Sequence, residues 1–175
     1  MDYTSFHDIL NPDELEGINE LVTSEKFEWI YIPTTSGKGD NDFSFVNLLY
    51  NKSKNQHSIN KHYDAFKNII SKCCNAFGQN EKNLIRVRLG LIPNYGRFVI
   101  HSPHIDFDYS HTTLLFYLNQ SDGGTYFYKD KKIINESKFE QNKCIKFDGS
   151  IYHSSSSPID HSIRIALNIN LKNEA

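Results

Sequence analysis

Residues 163–171 have the sequence IRIALNINL, in which large aliphatic side chains alternate with polar or small ones. Successive side chains of a β-strand point to opposite faces, so this alternation predicts a strand with one apolar face. The apolar face consists of Ile163, Ile165, Leu167, Ile169 and Leu171, and the other face consists of Arg164, Ala166, Asn168 and Asn170. The second face suits solvent, or in a two-layered β structure an internal cavity, where a lone arginine requires an anion such as a carboxylate.

The rest of the chain predicts two helices followed by many short strands. Asn11 precedes Pro12, two acidic residues and an apolar pattern of helical period, which predicts a helix start. A second amphipathic helix is expected at about 57–77. Predicted strands are 27–32, 43–50, 84–92, 98–102, 111–118, 125–128, 132–134, 143–147 and 162–171. We therefore expect one domain, with helical support over about 1–80 and a β-sandwich or barrel core over about 84–171.

Composition and charge exclude several classes of function. The chain has 175 residues, 38% of them hydrophobic, and a formal charge of −2, so no nucleic-acid or membrane partner is expected. The three cysteines, Cys73, Cys74 and Cys144, match neither a disulfide framework nor a CxxC zinc site. The N-terminus has no basic, apolar signal sequence, so a cytoplasmic protein is expected.

A metal site is indicated by His104-Ile105-Asp106 together with His153. Residues two apart on an extended segment point to the same side, so His104 and Asp106 can chelate one ion. Two histidines and one carboxylate form the facial triad of non-haem Fe(II), which leaves coordination positions open; the same ligands also suit zinc. His101 and Asp108 are alternative ligands nearby, and a surface loop is the alternative explanation for the tripeptide.

These residues resemble the 2-oxoglutarate and Fe(II)-dependent oxygenases, in particular their compact prolyl-hydroxylase-like branch. The resemblance covers residues 84–171 and rests on five features in the order of that family. They are His104-Ile105-Asp106, Phe116-Tyr117-Leu118-Asn119, Asp122-Gly123-Gly124-Thr125, His153 and Arg164. The family's fold is a double-stranded β-helix, or jelly roll, here backed by two N-terminal helices.

The resemblance implies a role for each matching residue. His104, Asp106 and His153 match the iron ligands, and Arg164 matches the residue that pairs with the distal carboxylate of 2-oxoglutarate. Tyr117 matches a tyrosine that donates to the same carboxylate, although core packing is the alternative for it. Thr113 and Leu115 share the strand face of Tyr117 and complete the expected cofactor-binding set.

The implied activity is a dioxygenase that uses Fe(II), 2-oxoglutarate and O₂, hydroxylates a small molecule or a peptide or protein side chain, and releases succinate and CO₂. On strand 84–92, Arg86 and Arg88 share one face and are expected to meet a polar or acidic substrate group if that face lines the cavity. The alternatives are a cupin-like metal enzyme or isomerase without 2-oxoglutarate, and a non-catalytic binding module.

Overall fold

The computed structural model describes residues 3–36, 40–52 and 57–173. This part of the chain is mainly β structure with two α-helices, as the sequence predicts. In chain order the elements are β1 (Thr4–Phe6), α1 (Pro12–Thr23), β2 (Ile30–Ile32), β3 (Ser44–Asn51), β4 (Ser58–Ile59), α2 (Tyr63–Ala76), a 3₁₀ turn (Glu81–Asn83), β5 (Leu84–Pro93), β6 (His111–Tyr117), β7 (Gly124–Lys129), β8 (Lys132–Lys138), β9 (Lys143–Asp148), β10 (His153–Ser155) and β11 (Ile163–Lys172).

The described strands form two antiparallel sheets, a composition consistent with a β-sandwich. The large sheet has the order β1-β9-β6-β11-β5-β3-β2, and β4 pairs with β3 at its edge. The small sheet has the order β10-β7-β8. Strand β11 is the last strand in the chain. It pairs with β5 on one side and with β6 on the other, and so joins the two halves of the large sheet.

Side chains of β6, β11 and β5 form rows across the large sheet. Residues directly opposite one another on antiparallel strands point to the same face, so each row lies on a single face. The three successive rows on the face of Arg164 are Thr113-Asn170-Arg86, Leu115-Asn168-Arg88 and Tyr117-Ala166-Gly90. This register brings the expected cofactor-binding strand and the expected substrate-facing strand to one face of the sheet.

Both faces of β11 are covered by the protein. Its aliphatic face belongs to the main hydrophobic core, together with residues of α1 and α2 such as Val22 and Phe66. On its other face, Arg164 is 4% exposed, Ala166 5% and Asn170 0%. A solvent-facing role for the polar face of β11 is therefore wrong, and Arg164 is an enclosed cation.

Helix α1 begins where the sequence predicts. Asn11 Oδ1 accepts a hydrogen bond from the Glu14 N–H at 2.9 Å, and Glu14 Oε2 accepts one from the Asn11 N–H at 2.9 Å. This reciprocal capping box satisfies two N–H groups that have no partner inside the helix. Pro12 occupies the first turn, where its missing N–H costs nothing.

Helix α2 begins at Tyr63, later than the predicted start near His57. The difference arises because Ser58 and Ile59 pair with β3 as the short strand β4, which satisfies their backbone groups before the helix starts. Cys73 and Cys74 of this helix are buried free thiols, as is Cys144 on β9. No helix in the described part of the chain is long and apolar enough to cross a membrane.

The strand expected at 98–102 is reduced to a single bridge between Ile100 and Ser156. The segment runs beside 155–157, where Ser157 N–H donates to Val99 O at 2.9 Å. The hydroxyl Oγ of Ser157 accepts from Val99 N–H at 3.0 Å in place of a carbonyl, and Pro103 has no N–H to extend a ladder. The chain therefore reaches His104 as an irregular segment that is hydrogen-bonded to residues 155–157, at the end of β10.

Candidate metal centre

His104 and His153 are joined through their main chains, although 48 residues separate them in the sequence. The N–H of each donates to the carbonyl of the other at 2.9 Å, an isolated antiparallel bridge between the loop before β6 and the first residue of β10. Their ring centroids lie 4.8 Å apart. One ligand atom from each of His104, Asp106 and His153 lies within 4.8 Å of the others, so the backbone bridge brings the three predicted ligands together.

The two imidazoles are oriented to offer Nε2 to an ion. His153 Nδ1 lies 3.0 Å from Ile151 O, and His104 Nδ1 lies 3.4 Å from Ser102 O. A carbonyl oxygen only accepts, so Nδ1 carries the proton in each ring and Nε2 keeps its lone pair. Burial lowers the pKa of His104 to about 4 and also lowers the pKa of His153. Both rings are therefore neutral near pH 7, the form that binds a metal.

The carboxylate of Asp106 is held by hydrogen bonds to one oxygen and an ion pair at the other. Oδ2 accepts from Asn168 Nδ2 and Asn170 Nδ2, each at 2.9 Å. Arg86 Nη2 lies 2.6 Å from Oδ1, a close ion pair without the alignment of a hydrogen bond. Burial acts to raise the pKa of Asp106. Opposing effects, of which the positive charge of Arg86 is the largest, are stronger together, and they hold this pKa well below its ordinary value. The ligand is thus ionised and fixed in orientation.

Arg86 therefore faces the metal ligand Asp106 rather than open space in the cavity. Its Nε donates to Asn170 Oδ1 at 3.0 Å, and the Nδ2 of Asn170 also reaches Thr113 Oγ1 at 3.1 Å. The guanidinium covers the ring of Phe107 at 4.6 Å. The row Thr113-Asn170-Arg86 is thus one hydrogen-bonded chain that supports Asp106, and Thr113 takes part in it through Asn170.

A cavity extends from the two histidines to Arg164. Its lining includes His104, His153, Arg88, Thr125 and Arg164, with Leu115 and Phe147 among the apolar residues of the wall. Arg164 Nη2 donates to Thr125 Oγ1 at 3.1 Å, while its Nε is buried without a partner. No described carboxylate forms an ion pair with Arg164. Burial lowers the pKa of Arg164 to about 10, which still leaves the guanidinium charged near pH 7.

Tyr117 lies beside Arg164 but is fully buried. Its hydroxyl donates to Thr125 Oγ1 at 2.9 Å, and its ring stacks on Phe139 with centroids 4.4 Å apart. Burial raises its pKa to about 12. Among the described residues, Leu115 lines the cavity whereas Tyr117 and Thr113 do not. Thr125 Oγ1 thus accepts from both Tyr117 and Arg164, and it is through Thr125 that Tyr117 is linked to the cavity.

No protein-family model matches the sequence, and no curated protein sequence is significantly similar to it. Solved structures match it closely in three dimensions. A 2OG-Fe(II) oxygenase family oxidoreductase from Burkholderia pseudomallei aligns with 99% of this chain and 87% of its own, with a TM-score of 0.72 and 11% identity. A Trichoplax adhaerens prolyl hydroxylase, solved with a hypoxia inducible factor peptide fragment, aligns with 97% and 83%, with a TM-score of 0.63 and 13% identity.

This chain has the fold of the 2OG-Fe(II) oxygenases. A third structure with this fold is the non-heme alpha ketoglutarate dependent epimerase SnoN from nogalamycin biosynthesis, which aligns with 98% of this chain and 78% of its own, with a TM-score of 0.63 and 13% identity. The resemblance stated from the sequence is confirmed at the level of the fold. Proteins with different printed activities share this oxygenase fold, so the chemistry of this chain depends on its own residues.

Neither alternative ligand belongs to the His104-Asp106-His153 cluster. Asp108 is exposed. His101 Nδ1 contacts Ser155 O at 2.9 Å, and His101 belongs to a second cluster with Asp40 and Asp42. The carboxylates of this cluster already have partners, because Asp42 pairs with Arg97 and Asp40 accepts from Ser36 at 2.8 Å. The structure thus separates His101 from His104.

Three supporting residues were not assigned a role from the sequence. The sequence predicted Asn168 and Asn170 on the polar face of β11. Their contact with Asp106 depends on the path of the irregular segment before β6, which no local sequence pattern predicts. Thr125 directly follows the Gly123-Gly124 turn of the family pattern. A Cβ on Gly123 would lie 2.7 Å from Arg164 Cδ and 2.9 Å from Ser156 O, so glycine at this position leaves the space that Arg164 occupies. The Gly123-Gly124 sequence therefore marks the position at which the turn contacts Arg164.

The site as a whole can hold one divalent ion beside an enclosed anion site. Two neutral imidazoles and one ionised carboxylate would hold the ion, and the two histidines also line the cavity. This donor set suits Fe(II) and also zinc. Arg164, which lines the same cavity and has no described ion-pair partner, requires a counter-charge, because a buried cation without one is costly.

Proposed function

We propose that this protein is a non-haem Fe(II) and 2-oxoglutarate-dependent dioxygenase whose two sheets form the double-stranded β-helix of that class. The observation that supports the proposal best is the cavity lined by His104 and His153 of the His104-Asp106-His153 cluster and by Arg164, an enclosed arginine without a described carboxylate partner. A metal site alone needs no such arginine, whereas a cosubstrate with a distal carboxylate does.

In this proposal each residue has a defined task. His104 and His153 offer Nε2, and Asp106 offers a carboxylate oxygen, to the iron. Arg164 pairs with the distal carboxylate of 2-oxoglutarate through its planar fork, and Thr125 fixes the guanidinium at one Nη. When bound together, iron, 2-oxoglutarate and O₂ supply the oxidation of a substrate C–H bond, with release of succinate and CO₂.

The remaining residues keep the site ordered and dry. The chain Arg86-Asn170-Thr113 prevents rotation of Asp106 and keeps it ionised. Leu115, Phe147 and Ala166 give the cavity an apolar wall that excludes water from the reacting centre. We propose hydroxylation as the outcome, in the cytoplasm, on a small molecule or on a peptide or protein side chain.

The test is an anaerobic titration of metal-free protein with Fe(II) and then 2-oxoglutarate, monitored by the weak visible charge-transfer band of the chelated cosubstrate. We expect the band in the wild type and no band in His104→Ala. Arg164→Met should need roughly 10- to 100-fold more 2-oxoglutarate, because a charge-assisted pair is lost. His161→Ala removes a partly exposed histidine that pairs with Asp122, and it should titrate as the wild type.

The same titration separates the proposal from its main alternative. A wild-type protein that binds Fe(II) but gives no band with 2-oxoglutarate would be a cupin-like metal enzyme without this cosubstrate. A protein that binds neither would be a non-catalytic module. An unchanged 2-oxoglutarate affinity in Arg164→Met would contradict the assignment of Arg164.

A further inference from the structure

We propose that Arg88 binds a carboxylate of the primary substrate, and that the substrate is therefore a small carboxylic acid. This inference rests on the proposed function, because it assigns the 2-oxoglutarate carboxylate to Arg164. It is based on the position of Arg88 in the cavity, on its lack of a partner, and on the charges of the cavity lining.

Arg88 is a cavity arginine without an ion pair to any described carboxylate. Its neighbour Arg86, on the same face of β5, contacts Asp106 and Asn170. Arg88 lines the cavity, its Nε is buried without a partner, and no described carboxylate lies within ion-pair distance of it. A guanidinium offers its donors as a flat fork, which fits a carboxylate with two parallel hydrogen bonds. A cavity guanidinium whose Nε is buried without a partner is thus suited to bind an external anion.

Arg88 and Arg164 lie at different places on the sheet, so each can have its own binding role. Arg88 is opposite Asn168, whereas Arg164 is opposite Ile92, four residues further along the paired strands. At roughly 3.3 Å per residue the two Cα atoms are separated by about 13 Å along the strand direction. Asn168 also contacts Asp106, so Arg88 lies in the row nearer to that ligand and Arg164 at the far end of the cavity. The two side chains therefore start from opposite ends of the cavity lining, and each arginine is assigned its own carboxylate.

The charges of the cavity favour a second anion. Its described lining contains two arginines and no aspartate or glutamate. With a divalent ion on Asp106, the ion and the three arginines Arg86, Arg88 and Arg164 exceed the charge of Asp106 and a dianionic cosubstrate by two units. A neutral substrate would leave Arg88 desolvated and unpaired, which is unfavourable. The apolar part of the cavity wall, including Leu115 in the row of Arg88 and Phe147, suits the hydrocarbon part of a small acid.

The experiment uses propionate as the probe and propionamide as its neutral counterpart, on anaerobic protein loaded with Fe(II) and 2-oxoglutarate. Affinity is measured from the perturbation of the visible band and from the rise in Tm with probe concentration. We expect propionate to bind to the wild type and propionamide to bind at least tenfold more weakly. Arg88→Gln should weaken propionate binding by roughly tenfold or more, whereas Arg88→Lys, which keeps the charge, should lose less.

Each contrary result has a defined meaning. No propionate binding to the loaded wild type, equal binding of propionamide, or a preference for inorganic phosphate would overturn the carboxylate site. Unchanged propionate binding in Arg88→Gln would overturn the role of Arg88. The affinity for 2-oxoglutarate, measured by titration of the visible band, is an internal check. If Arg88→Gln lowers this affinity as much as Arg164→Met does, Arg88 binds the cosubstrate and the inference fails. Absence of the band in the wild type would instead be a failure of the proposed function.

Discussion

Replacement of Arg86 by methionine should destabilise the metal-free protein more than the metal-loaded protein. Arg86 Nη2 lies 2.6 Å from Asp106 Oδ1, and the two side chains are 16% and 3% exposed. Loss of one partner from a buried ion pair costs about 3–5 kcal/mol, because the remaining charge is left uncompensated. Asn168 and Asn170 still donate to the carboxylate and the pair is not aligned as a hydrogen bond, so we expect about 3 kcal/mol, the low end.

A bound divalent ion should restore much of this loss. The ion replaces Arg86 as the positive partner of Asp106, and the variant lacks the arginine that repels the ion. The free energy of unfolding is measured by urea titration, once with a chelator for the metal-free protein and once with saturating Mn²⁺, which is not oxidised by air under these conditions. The decrease caused by Arg86→Met should be clearly smaller with Mn²⁺, and the variant should bind Mn²⁺ at least as tightly as the wild type.

The matched control is Lys61→Met, which removes the basic partner of Glu28 in an ion pair exposed on both sides. Exposed pairs contribute little, so its unfolding curve should overlay that of the wild type in both conditions. An equal loss in Arg86→Met with and without Mn²⁺ would refute the reasoning, because it would mean that Arg86 acts by packing on Phe107 rather than by neutralising Asp106.

Three further predictions concern the surroundings of the metal site. Gly149→Ala should lower stability by about 1–3 kcal/mol in thermal unfolding, because the new Cβ would lie 2.0 Å from Nε2 of the buried His111 ring. Asn170→Ala should weaken Mn²⁺ binding roughly 10- to 100-fold in calorimetric titration, because the support of Asp106 is lost. The metal-free protein should lose up to about 3 kcal/mol as the pH falls from about 6.5 to about 4, because over that range the unfolded chain binds a proton at His104 that the folded chain does not. Urea titrations across this range should show a weaker pH dependence in His104→Ala.

Each of these predictions has a control or a contrary result. Gly17→Ala adds a methyl group to an exposed position of α1 with no atom within 4 Å, so it should be neutral or slightly stabilising. Asn173→Ala removes an exposed asparagine that contacts Ser110 and should leave Mn²⁺ affinity unchanged. A stability that does not change below about pH 6.5 would contradict a buried, neutral His104 in the folded protein.

The sequence was sufficient where the signal is local. The capping box of Asn11 and Glu14 placed the start of α1, and strict alternation placed β11 within one residue at each end. The two-residue interval between His104 and Asp106 predicted that they share one side of the chain, and the order of motifs in the resembling family supplied His153; the structure brings all three together.

The sequence was insufficient where contacts depend on the register between distant strands. Arg86 and Arg88 are alike in any local pattern, yet the pairing of β5 with β11 places Arg86 opposite Asn170 and beside Asp106, and leaves Arg88 facing the cavity. Strand β1 was missed because all three of its residues are exposed, so it has no apolar alternation. Its place in the sheet comes from its pairing with β9.

The backbone bridge between residues 104 and 153 has a consequence for repair of the site. Both of its hydrogen bonds join main-chain atoms, so truncation of either histidine removes an imidazole without removing the frame that positioned it. His104→Ala should therefore retain an opening of the shape of the missing ring, beside an intact His153 and Asp106. Free imidazole added to this variant should enter the opening, complete the ligand set and recover metal binding in proportion to its concentration, so that the centre can be reconstituted from a protein and a small molecule.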